Sequence, residues 1–80
     1  MTPPLTQFRN RKVVHYETYD NYIIIVTQRE PKLLGFYMDY YSTYICNTRL
    51  HVLRRNIHND SVTVAYLVDN AKAEINPFVI

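Results

Sequence analysis

An 80-residue chain makes at most one domain and buries roughly 60–65% of the surface it exposes when unfolded, so its core is thin. A single cysteine excludes an intrachain disulfide. A net charge of +2 with a pI near 8.8 falls short of the clustered basicity of a dedicated nucleic-acid binder.

The composition leans towards sheet. Val, Ile, Tyr, Phe and Thr supply 33 residues, against 19 from Ala, Glu, Lys, Leu, Met and Gln. Branched and aromatic side chains pack on a pleated surface and lose rotamer freedom in a helix. The excess of Tyr, Ile and Asn over Ala and Gly matches AT-rich codon usage, a bias shared by small proteins of viruses and mobile elements and by ordinary proteins of AT-rich genomes.

In chain order, residues 1–10 carry Pro3 and Pro4 and read as a flexible N-terminal tail, leaving 11–80 as a single small domain. The tail has no apolar core of the kind a secretory leader requires. Residues 11–18 alternate as a first strand, with Val14, Tyr16 and Thr18 on one face. Tyr19-Asp20-Asn21 reads as a tight hairpin turn, because Asp and Asn tolerate positive φ. Residues 22–29 form the second strand. Its apolar run Tyr22-Ile23-Ile24-Ile25-Val26 predicts a central position covered on both faces, and is far short of the ~20 residues of a membrane helix.

The stretch 33–46 holds four of the eight tyrosines, the only glycine and the only cysteine. Leu34, Tyr37, Met38, Tyr41 and Tyr44 make a helical stripe. Glycine, four tyrosines and branched residues make that helix costly in propensity, so the preferred reading is a third strand at 33–41. A helix is placed at 47–57, where Cys46, Leu50, Leu53 and Ile57 recur at spacings of 4, 3 and 4 and Asn47 or Thr48 can serve as its cap. Residues 62–68 read as a returning strand, with Val62, Val64, Tyr66 and Val68 on one face. Asp69-Asn70 ends it, and 71–80 is weak, with Pro77 barring a central strand. The expected fold is a sheet-dominated α+β domain with a small antiparallel sheet (strands near 11–18, 22–29, 33–41 and 62–68) and one helix near 47–57. The alternatives are an all-β form and a ββαββ form with its helix at 31–46.

No constellation predicts catalysis, so the chain is read as a non-enzyme. Ser42 and Ser61 stand beside three histidines without a nucleophile elbow, and one glycine cannot build a phosphate-cradling loop. Cys46, His51 and His58, with His15, are metal-ligand types, but their spacing matches no zinc pattern. No metal or cofactor is expected. Tyrosine and arginine are favoured at protein interfaces. Eight tyrosines exceed what a thin core buries, and Tyr40, Tyr41 and Tyr44 are the surplus. The functional expectation is therefore a cytoplasmic protein-binding module, an inhibitor or adaptor. It would occlude an acidic partner surface, or a second copy of itself, through Tyr40, Tyr41, Tyr44, Arg54 and Arg55. The rival is a single-stranded nucleic-acid or RNA binder using Arg49, Arg54 and Arg55 with Arg9, Arg11 and Lys12. No membrane partner is expected.

Overall fold

The computed structural model describes residues 11–29 and 40–78. The expected tail at 1–10 and most of the expected strand at 33–41 lie outside them. The described residues form four strands and one helix: β1 (Arg11–Tyr19), β2 (Tyr22–Arg29), β3 (Tyr41–Cys46), β4 (Val52–His58) and α1 (Val64–Ile75), followed by a 3-10 turn at Asn76–Phe78. The strands make one antiparallel sheet in the order β1-β2-β3-β4. The domain is a small, sheet-dominated α+β fold, as its composition predicts.

β1 and β2 form where alternation and the apolar run place them. Asp20 takes φ 56°, so the two-residue turn Asp20-Asn21 carries the hairpin in register with Tyr19 opposite Tyr22. Ile23 to Thr27 are buried without interruption, as a strand covered on both faces requires. Ile24 and Val26 face α1, where they pack with Ile45, Ala71 and Ile75 and with Leu67 and Val68. Ile23 and Ile25 face the other way, against Tyr44, Cys46 and Leu50. Burying each such side chain is worth about 1.5–3 kcal/mol, so β2 stabilises both faces at once.

Two expectations are reversed. Residues 47–57 are a turn and a strand, not a helix. The Asn47 side chain accepts backbone N–H groups, as a cap would, but in a hairpin: its Oδ1 takes the amides of Arg49 and His51, both at 2.9 Å. Leu50 then reverses the chain at φ 65°, a left-handed conformation that no helix interior can hold. Residues 62–68 do not return as a strand. Thr63 caps α1, its Oγ1 accepting the amide of Tyr66 at 3.1 Å. Leu67, Val68, Ala71 and Ile75 form the buried stripe, whose period is helical. The helix runs through Asp69-Asn70 and stops before Pro77, as the missing amide of proline demands. The meander thus has four strands before the helix, rather than three strands, a helix and a returning strand. The all-β alternative fails on α1, and a helix at 31–46 fails on β3.

Candidate functional site

α1 packs over β1, β2 and β3, and the edge strand β4 lies beside it, with no further strand on its outer side among the described residues. A trough runs between α1 and β4, floored by β3. Glu74 spans its middle: Oε1 lies 3.3 Å from Arg54 Nη1, and Oε2 accepts from Asn56 Nδ2 at 3.0 Å. On one side of this bridge the trough widens into a cleft of about 450 Å³ with a mainly apolar lining from Tyr22, Ile45, Leu53, Ile75 and Pro77. On the other side is a more polar hollow of about 280 Å³, lined among others by Thr43, Asn56, His58 and Asn70.

The register explains why Leu53 reaches that cleft. Ile45 pairs with Arg54 and Cys46 with Val52, so Leu53 is the extra residue of a β-bulge. A bulge re-aims neighbouring side chains, and here Leu53 and Arg54 both line the cleft. Regular alternation resumes from Arg54, which puts Arg54, Asn56 and His58 on the α1 face and Arg55 and Ile57 on the opposite face. Leu53 is 57% exposed and Ile57 52% exposed. The Arg55 guanidinium lies 5.7 Å from the Tyr44 ring centroid, within cation–π range, and no carboxylate among the described residues pairs with it.

The five residues expected to bind a partner do not form one surface. Tyr44 is only 2% exposed and belongs to the core cluster of Ile23 and Ile25, so it is not an anchor. Tyr40 and Tyr41 are half-buried and meet edge to face, with centroids 4.8 Å apart at 82°. The Tyr40 hydroxyl accepts from Gln28 Nε2 at 2.8 Å, and Tyr41 packs beside Val26 and Leu67. Both are committed to the fold. Arg54 and Arg55 point to opposite faces.

The basic residues of the nucleic-acid reading are dispersed. Arg9 lies outside the described residues. Arg11 and Lys12 open β1 at one end of the sheet, whereas Arg49 sits in the β3–β4 turn at the other. Arg11 is a structural tie: its Nε donates to Thr27 Oγ1 at 2.8 Å and Nη2 to the Tyr40 carbonyl at 3.1 Å. The metal-ligand types are equally separated. Cys46 is buried, and that burial pushes its thiol above the ordinary cysteine value. His51 and His58 lie at opposite ends of the β4 hairpin arm rather than on one helical face. No group of three ligand side chains converges among the described residues.

Glu74 and Leu53 were legible only through elements read differently from sequence. The helical stripe from Leu67 to Ile75 carries Glu74 to the trough, and the bulge turns Leu53 into it. A second carboxylate, Glu17 on β1, braces α1 from the far side: Oε2 lies 2.9 Å from Lys72 Nζ, and Oε1 meets His15 Nε2 at 2.8 Å. Lys72 and then His15 hold Glu17 below the ordinary glutamate range, and Glu17 holds Lys72 above the ordinary lysine range.

Together these features define a small sheet-and-helix domain whose edge strand β4 runs beside an apolar cleft. Among the described residues no helix is long and apolar enough to cross a membrane. Comparison of the chain with known protein families, curated proteins and solved structures finds no match.

Proposed function

We propose that the chain is a non-enzymatic protein-binding module, an inhibitor or adaptor of the cytoplasm, that occludes an acidic surface of a partner protein. The docking face is β4 with the adjoining cleft, rather than the tyrosine ladder. One observation carries this reading: two large apolar side chains, Leu53 and Ile57, stay more than half exposed on an edge strand that also presents Arg55. Exposed apolar groups scattered singly need no explanation, but a set along one edge, next to a concave apolar lining, marks an interaction surface. The lone cysteine supports a reducing compartment.

The test is affinity capture from cells that express the natural protein, with the wild type, a Leu53→Ser/Ile57→Ser variant and a Lys12→Ala variant. The expected result is one partner recovered in constant ratio by the wild type and by Lys12→Ala, and lost with the double variant at unchanged far-UV circular dichroism. Equal recovery by all three would remove β4 as the docking face. Recovery that disappears on nuclease treatment would give the function to nucleic acid instead.

A further inference from the structure

We infer that β4 takes up an extended acidic segment of the partner as a fifth strand, with an acidic side chain opposite Arg55 and an apolar one opposite Ile57. This rests on the protein-binding reading and specifies its mode. The sheet has two edges, and they are not equivalent. Each edge strand carries one bulge, between Val13 and His15 in β1 and at Leu53 in β4, and each keeps five residues in unbroken register beyond it. The edges therefore differ in charge: β1 carries Glu17, already paired with Lys72, whereas β4 carries Arg55, with no carboxylate partner among the described residues. From Arg54 to His58, β4 pairs with β3 without a break. Its outer side has no strand partner among the described residues. An added strand can therefore gain main-chain hydrogen bonds along five residues, the source of affinity in strand addition.

The side chains decide which strand fits. An incoming strand presents alternate residues to the two faces of the sheet. On the α1 face, Arg54 is already engaged by Glu74, and the apolar cleft beside Leu53 offers room for an apolar side chain. On the opposite face the neighbours are Arg55, without a carboxylate among the described residues, and Ile57, half exposed. The matching ligand is acidic and apolar at positions two apart on that face, with an apolar residue between β4 and the cleft on the other. A second copy of the chain is a poor occupant. Antiparallel self-pairing about Arg55, the middle of β4, sets Arg55 of one copy against Arg55 of the other, and in-register parallel pairing sets Arg55 beside Arg55. Like charges directly opposite each other destabilise a strand pair.

The probe is a short fluorescein-labelled peptide in which Glu and Val alternate along one strand face and Val fills the other (a Glu-Val-Val-Val repeat), titrated into the full chain by fluorescence anisotropy, with hydrogen exchange read on the complex. The expected result is saturable binding, with new protection confined to residues 53–58. N-methylation of alternate peptide amides should weaken binding at least tenfold. Arg55→Glu should lose the Glu peptide and recover affinity for a peptide with Lys in its place. No saturable binding, or binding indifferent to N-methylation, would overturn strand addition. If capture of the cellular partner still depends on Leu53 and Ile57, that failure leaves the docking face standing. Dimerisation of the chain alone, with protection on β4, would overturn the choice of occupant.

Discussion

Asp20 and Leu50 both hold positive φ, at 56° and 65°, but on different terms. Aspartate visits the left-handed region with little penalty, because its short carboxylate bonds nearby backbone. Asp20→Ala should therefore destabilise the fold by about 1 kcal/mol, while Asp20→Gly stays within a few tenths of the wild type; urea unfolding followed by circular dichroism measures both. Leu50 has no such dispensation. It holds the conformation because its side chain is buried beside Ile23, Tyr44 and Cys46, and that burial outweighs a backbone cost of about 1–2 kcal/mol. Truncating it exposes the two terms separately. Leu50→Ala loses the packing, about 2–5 kcal/mol, and keeps the strained backbone. Leu50→Gly loses the same packing but relieves the strain. The glycine variant should accordingly be more stable than the alanine variant, the reverse of the usual order in a strand or helix interior. Equal stability, or alanine above glycine, would mean that the turn relaxes away from φ 65° once leucine is gone.

At the scale of elements, the N-terminal half of the domain was legible and the C-terminal half was read with its two element types exchanged. β1, the Asp20-Asn21 turn and β2 followed from alternation, turn chemistry and an apolar run too short and too branched for a helix. The exchange has local causes. The 4, 3, 4 spacing from Cys46 to Ile57 is compatible with a helix, and Asn47 accepts amides in a cap and in an Asx turn alike. Only the backbone reversal at Leu50 separates the two, and leucine does not announce it. In the other direction, Val62, Val64, Tyr66 and Val68 alternate as a strand would, and Asp69-Asn70 carries the side chains of a turn. Read through it, Ala71-Lys72-Ala73-Glu74 supplies strong helix formers and Ile75 completes the stripe. The candidate site inherited this exchange, since both walls of the trough come from the misassigned elements.

The Glu17–Lys72 bridge that ties α1 to β1 makes a pH prediction. Glu17 is lowered in the fold, so its contribution to stability is present above the unfolded glutamate value and is lost as pH falls through the folded one. Lys72 is raised, so its contribution is present below the unfolded lysine value and is lost as pH rises through the folded one. The bridge is thus complete across the neutral range and fades at both extremes. In urea unfolding of wild type and Glu17→Gln, the stability gap should be widest near pH 7 and narrow as the pH falls below the ordinary glutamate value. A gap that is constant with pH would show that the glutamate acts by packing alone.

For the whole molecule, the arrangement of β2 makes the two faces of the sheet one cooperative unit. Ile24 is 0% exposed and packs with Ala71 and Ile75 under the helix, while the adjacent Ile25 is 1% exposed and packs with Tyr44 on the opposite face. Neither cluster can form without the strand that carries the other. An 80-residue domain has a total stability on the order of 4–12 kcal/mol, and a buried Ile→Ala change costs about 2–5 kcal/mol. Either Ile24→Ala or Ile25→Ala therefore consumes a large share of the whole. The unfolding transitions should nevertheless coincide by far-UV circular dichroism, which follows α1, and by tyrosine fluorescence, which includes Tyr44 in the opposite cluster. Each single variant should shift both probes together, whichever face it touches, and the double variant should be largely unfolded at 25 °C. If Ile24→Ala instead melts the helix signal while the tyrosine signal stays native, α1 is a separately unfolding layer. The trough between α1 and β4 would then form only when a partner holds the helix in place.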